Sequence, residues 1–218
     1  MDRPTHLLTH ADVQAAGLPD WRLLLRALHT RFRTGGFGAG LALVNRVGEV
    51  AEELDHHPDL DLRWGHLDVR LFSHDVGGVT ERDVDLARRI SDIAAGLGVV
   101  ADPGSVQVVE IGLDTPARAV VRPFWQAVLG SGDGAEDEVV DREGRSPALW
   151  FQDTGSEAPD RQRFHLDVTV PPEVARLRVE AALAAGGRLV SEDEEPAFVV
   201  LEDPDGNRTC ICTSLGRD

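Results

Sequence analysis

Residues 37–58 read FGAGLALVNRVGEVAEELDHHP and residues 73–83 read SHDVGGVTERD, and the folding of these two stretches decides the first half of the chain. Gly35 and Gly36 punctuate the sequence before a long amphipathic run from Phe37 to Leu54. Its apolar Leu41, Val44, Val47 and Val50 recur every three residues, which predicts one helix face. Proline after His56-His57 stops that helix. In the second stretch, Thr80 followed three residues later by Asp83 makes a capping-box-like start to another helix. Between them, Leu62, Trp64, Leu67, Val69 and Leu71 alternate through Phe72, predicting one or two strands around Gly65.

Upstream, a short helix is expected at Asp12–Ala16 after Thr9, then strands at Trp21–Leu25 and Ala27–Thr34. The order α-β-β-α-β-β-α puts helices on one face of an antiparallel sheet. Gly98 to Ser105 is rich in turn formers, so a boundary is expected near 100–105, with domains over 1–100 and 105–218. Charge and histidine change at the same place. Residues 1–103 hold 16 acids and 11 arginines, 104–218 hold 22 and 11, and seven of the eight histidines precede residue 75.

In the second half, strands are expected at Val106–Leu113, Ala148–Gln152, Arg163–Val170, Phe198–Glu202 and Thr209–Thr213. Helices are expected at Pro116–Leu129, ended by Gly130, and at Pro172–Ala185, ended by Gly186-Gly187, with a polar loop at Thr154–Gln162. A β-α-β-β order thus appears twice. The fold class is α+β.

The 218 residues carry a net charge of −16, which opposes a nucleic-acid backbone. Every basic residue is arginine, so Schiff-base chemistry and a lysine-bearing phosphate loop are excluded. The longest uncharged apolar run, Gly35 to Val44, is too short to span a bilayer, and Met1-Asp2-Arg3-Pro4 lacks signal-peptide order. Cys210 and Cys212, two apart on an expected strand, share a face as small core residues rather than pairing. A cytoplasmic protein without nucleic-acid or membrane partners is expected.

Chemistry is densest at Glu52, His56, His57, His74 and Asp83. Imidazole donates and accepts protons near neutrality, so histidines at an element edge suit proton transfer. Three histidines can also hold zinc, and a polar helix terminus is a third reading. The residues Glu52, His56-His57-Pro58, Trp64, the segment Ser73 to Thr80, Asp83 and Leu86-Ala87 resemble the pterin-4a-carbinolamine dehydratases. Seventeen residues from His57 to His74 and nine from His74 to Asp83 match that pattern, as do Leu18-Pro19-Asp20-Trp21 and Arg31-Phe32-Arg33; Leu60 stands where many members have an aromatic.

The resemblance implies dehydration of 4a-hydroxytetrahydropterin to quinonoid dihydropterin, without cofactor or metal. His56 and His74 would be the acid/base pair and His57 a positioning group. Asp83 would orient His74 or hold the local structure, and Glu52 would fix the tautomer of His56. Trp64 and Ser73 would bind substrate. Relatives of this half also imply a homo-oligomer. A non-enzymatic scaffold is the alternative.

Ile111 to Asp114, Pro123-Phe124-Trp125, Leu149 to Gln152, Arg163 to Val168 and Asp203 to Asn207 resemble the glyoxalase/bleomycin-resistance superfamily. That implies paired βαβββ modules and a ligand-binding or structural role, with Trp150 and Gln152 in the cleft. Metal-dependent lyase or dioxygenase chemistry is its alternative. Superfamily enzymes hold a divalent metal on the first, fourth, fifth and eighth strands, and His165 fits the fifth. Gln107 or Glu110 stands near the first-strand position, and Arg208 is taken as the residue at the eighth, so no metal site is expected. The run Ser191 to Glu195 reads as a solvated turn.

Overall fold

The computed structural model describes residues 6–129, 132–133, 137–141, 146–154, 164–202 and 208–216. The chain forms two compact units, the first running to Val106 and the second being Gln107–Gly216.

In the first unit, helix α1 (His10–Ala15) precedes strands β1 (Arg22–Leu24) and β2 (Ala27–Arg33). Helix α2 (Phe37–Leu54), strands β3 (Asp59–Leu62) and β4 (His66–Leu71), helix α3 (Glu81–Gly96) and the short strand β5 (Val100–Ala101) follow. The sheet order is β1-β2-β4-β3, with β5 on β2, and every pairing is antiparallel. Side chains alternate across a strand. Leu28, Thr30 and Phe32 of β2 therefore pair with Leu71, Val69 and Leu67 of β4 on a buried face. Helices α2 and α3 cover that face with Leu43, Val47, Val84, Leu86 and Ile90. The α+β order is as the sequence predicts, and β5 is a strand too short to leave a hydrophobic period.

The predicted face of α2 is displaced. Gly40, Leu43, Val47 and Ala51 are its buried residues, while Leu41 is 45% exposed. A helix turns about 100° per residue, so a strict three-residue repeat drifts by roughly 60° at each step. Leu41 and Val50 cannot share a face; Val47 is fully buried, Val44 and Val50 pack partly buried against the core, and Leu41 is exposed.

The other face of the sheet is charged. His29, Arg31 and Arg33 pair across β2 and β4 with Arg70, Asp68 and His66. Arg31 holds Asp68 through two hydrogen bonds of 2.6 Å. Burial, with Arg70 acting in the same direction, pushes the His29 imidazole down to about 4 against the opposing pull of Asp59 and Asp68. A folded value below the ordinary 6.5 means that this stability is fully present above pH 6.5 and drains away as pH falls toward 4. The urea midpoint is expected to drop through that window, and His29→Gln to flatten that part of the pH profile. An unchanged profile in the variant would show that His29 is not responsible.

The second unit contains strand β6 (Val108–Thr115), helix α4 (Arg118–Leu129) and strands β7 (Gly132–Asp133), β8 (Glu138–Val140) and β9 (Ala148–Asp153). Strand β10 (Phe164–Thr169), helix α5 (Pro172–Ala184) and strands β11 (Arg188–Ser191), β12 (Phe198–Glu202) and β13 (Arg208–Cys212) complete it. This is βαβββ twice. One eight-stranded sheet runs β11-β12-β13-β10-β6-β9-β8-β7. In each module the first strand lies parallel to the last, β6 with β9 and β10 with β13, and the modules join through antiparallel β6 and β10. Strand-by-strand reading of the sequence misses β7, β8 and β11, of two to four residues each. Leu113, Val139, Leu149 and Phe151 pack in the first module, and Val170, Val179, Val199, Leu201 and Ile211 in the second. Residues 192–195 are exposed, as a solvated turn requires. Gly130 and most of the loop 154–162 lie outside the described residues.

Candidate active site

The end of α2 aims the histidine pair. Asp55 adopts left-handed backbone, φ 48°, and the chain reverses there. The His56 amide donates to the Ala51 carbonyl at 3.1 Å and the Asp55 amide to the Glu52 carbonyl at 3.3 Å, the two bonds of a Schellman ending. The helical spacing that would stack His56 on Glu52 therefore stops before His56. Glu52 instead meets His57, with Oε1 2.9 Å from Nε2, and both side chains are exposed. This corrects the expected Glu52–His56 pairing.

His56 turns inward and is 8% exposed, its Nε2 2.8 Å from Asp83 Oδ1. The other oxygen of Asp83 accepts from Ser73 Oγ at 2.7 Å, the Thr80 amide at 2.8 Å and Thr80 Oγ1 at 3.2 Å. Asp83 is thus both the third residue of the α3 capping box and the partner of His56, one oxygen for each duty. The expectation that Asp83 orients His74 is corrected: it holds His56. Burial by itself raises the Asp83 carboxyl, but the hydrogen bonds from His56, Ser73 and the Thr80 amide outweigh it and hold the group below its ordinary range. An ionised carboxylate can only accept, so His56 carries its hydrogen on Nε2 and leaves Nδ1 as the nitrogen free to exchange a proton.

The returning loop is tied by the Ser73 amide to the Gly78 carbonyl at 2.9 Å, with left-handed Gly77, φ 76°, making the turn. Ser73 is 1% exposed, which removes it from contact with substrate and makes it part of the buried network. His74, the next residue, is exposed and stands edge-on to Phe72 at 5.1 Å. Trp64, in the turn between β3 and β4, is 76% exposed. One hydrogen-bonded chain, His56–Asp83–Ser73, therefore has an exposed histidine as the covalent neighbour of each end, His57 and His74.

A second cluster lies on the sheet face of the other unit turned away from α4 and α5. His165 and Asp167 share this face of β10, and the parallel register sets Cys210 of β13 opposite Asp167. The ring of His165 lies on Gly112, where an added Cβ would come within 2.3 Å of it. Trp150 stands edge-on to the ring at 5.2 Å. The Cys212 thiol, burial and the Asp167 carboxylate all push the Cys210 thiol up.

Asp167 and Cys210 were not legible as site residues. Their meeting needs strand pairing across 43 positions, and only the two-residue spacing of His165 and Asp167 hints at a shared face. The expectation of no metal site rests on Gln107 or Glu110 at the first strand and on Arg208 at the eighth; the Arg208 side chain is exposed, whereas Cys210 faces Asp167. A divalent ion of the kind the superfamily resemblance implies fits this donor set, because Asp167 Oδ1 is buried without a hydrogen-bond partner among the described residues. Gln107 takes no part, since its Oε1 accepts from Arg178 at 3.2 Å. Gln152 is exposed on the same face as Trp150.

Comparison with known proteins agrees with both halves. Residues 110–212 match the family model for a glyoxalase-like domain, and residues 6–93 that for pterin 4 alpha carbinolamine dehydratase. A protein of Thermosynechococcus vestitus is 43% identical over 89 residues, 40% of this chain and 94% of its own length. One of Streptomyces coelicolor is 46% identical over 84 residues, 38% of this chain and 83% of its own. Both carry the provisional name pterin-4-alpha-carbinolamine dehydratase. Among solved structures, a transcriptional coactivator/pterin dehydratase of Brucella melitensis is 31% identical, covering 41% of this chain and 99% of its own, with a TM-score of 0.39. A glyoxalase/bleomycin resistance protein/dioxygenase superfamily member of Vibrio splendidus is 17% identical over 50% of this chain and 99% of its own, with a TM-score of 0.35. With over nine-tenths of the Thermosynechococcus protein matched at this identity, the chain belongs, through its N-terminal unit, to the pterin 4 alpha carbinolamine dehydratase family.

Proposed function

We propose that the N-terminal unit dehydrates a 4a-hydroxytetrahydropterin to the quinonoid dihydropterin by histidine acid/base catalysis. The observation that carries this reading is the buried His56–Asp83–Ser73 chain with an exposed histidine beside each end. The reaction breaks the C4a–O bond and removes the N5 proton. An acid gives one proton to the departing hydroxyl and a base takes one from N5, so the exchange balances with no cofactor. His56, steered by Asp83, and His74 form the acid/base pair in this reading. His57, held by Glu52, positions the pterin, and Trp64 offers its exposed indole for stacking on the ring.

The same reading makes residues 1–100 the catalytic domain and 105–218 a separate glyoxalase-like domain of ligand-binding or structural role. It places a homo-oligomer in the cytoplasm, working on a small pterin rather than on nucleic acid. Among the described residues no helix is long and apolar enough to cross a membrane. The test is breakdown of enzymatically generated 4a-hydroxytetrahydropterin, followed by absorbance. The full chain is expected to accelerate it, and to do so undiminished after exhaustive chelation. An inert full chain would sink the assignment, and activity lost on chelation and restored by one metal would replace the acid/base mechanism.

A further inference from the structure

We infer that His165, Asp167 and Cys210 of the glyoxalase-like unit form a Zn²⁺ site in which a cysteine thiolate is one of three protein ligands. The three donor atoms lie within 4.8 Å of one another. Donors sharing a zinc ion at about 2.0–2.3 Å stand roughly 3.5 Å apart, so each side chain needs to close by only about half an ångström. A second observation points to a cation. Asp167 is 8% exposed, and its buried Oδ1, without a hydrogen-bond partner among the described residues, sits 3.6 Å from His165 Nε2. A buried carboxylate oxygen left without a donor is costly, and a coordinated cation supplies what a donor would.

The surroundings are built in the same sense. Asp114 Oδ1, also buried and without a hydrogen-bond partner among the described residues, lies 3.8 Å from His165 Nδ1. That is the place of an outer carboxylate that orients the imidazole while Nε2 binds metal. Gly112 leaves the room in which the ring lies. Arg208 shares the face of Cys210, two residues along β13, and its side chain is exposed. Thiolate and imidazole donors favour zinc over the hard ions Mg²⁺ and Ca²⁺, and three protein ligands leave a fourth position open to water or a small ligand.

The test uses the full chain, freed of metal and titrated with Zn²⁺ by calorimetry, and its Co²⁺ form read by absorbance. One equivalent of Zn²⁺ is expected to bind, and Co²⁺ to give a sulfur-to-cobalt charge-transfer band. The chain has two cysteines, both in the second unit, so the band reports on Cys210 or Cys212 alone. Cys210→Ser is expected to abolish the band and Cys212→Ser to keep it. Gly112→Ala removes no donor but displaces the His165 ring. It is expected to weaken Zn²⁺ binding by at least the 10–100-fold cost of losing an outer partner. Absence of the band in the unsubstituted protein, or its survival in Cys210→Ser, would overturn the site. The unsubstituted protein alone decides should a variant fail to fold by circular dichroism. Dehydratase activity measured on the same samples separates failure of this site from failure of the pterin reading.

Discussion

The double variant His56→Ala/His74→Ala is expected to process a 4a-hydroxytetrahydropterin more than about 10⁴-fold more slowly than the unsubstituted protein. One positioned acid or base is typically worth about 10²–10⁴-fold, and in the proposed reading the two histidines act at different points of one elimination. Each single variant should fall within that range, moderated where the remaining imidazole serves both transfers. In the proposed reading the His57 ring, paired with Glu52 at 2.9 Å, binds substrate rather than transferring a proton, so His57→Ala should instead mainly raise KM. Steady-state kinetics on generated substrate, with circular dichroism to confirm the fold, makes the comparison. A folded double variant with unchanged kcat/KM would remove both histidines from the mechanism.

Asp83→Ala is expected to cost about 3–5 kcal/mol of stability, since each buried donor left without its acceptor costs about 1–3 kcal/mol. Asp83 is fully buried, and its removal strands His56 Nε2, Ser73 Oγ and the Thr80 amide without their acceptor. It also deletes the capping box of α3. Urea unfolding followed by circular dichroism measures the loss. The stabilising part of the Asp83 interaction needs the ionised form. Because its folded pKa lies below the ordinary value, that contribution is present above the ordinary carboxylate range and is lost as pH falls through the lowered value. The difference between Asp83→Ala and the unsubstituted protein should therefore shrink in acid. A constant difference down to the lowest pH at which the protein folds would show that the charge is immaterial. Activity should fall in the same variant, since the tautomer of His56 loses its director.

The order of elements in the first unit was legible because local signals suffice for it. Thr80 and Asp83 cap a helix wherever it is placed, and alternation marks β4. The candidate histidines were legible in the same way, as reactive side chains at element ends. Their partners were not. Glu52 stands four residues before His56 and in a continued helix would lie over it, yet the left-handed turn at Asp55 hands Glu52 to His57. Asp83 reads from the chain as a cap, and only the packing of α3 beside the end of α2 turns its second oxygen to His56.

In the second unit the chain by itself determined two similar modules and a lone histidine on a strand. Whether that histidine has company was decided by the register of β10 against β13, which sets Cys210 rather than Arg208 across from Asp167. Periodicity and capping depend on neighbours within a turn or two of chain, and those the sequence states outright. Pairings between distant strands depend on which backbone hydrogen bonds close once the sheet is assembled, and a shift of a single residue exchanges one face for the other.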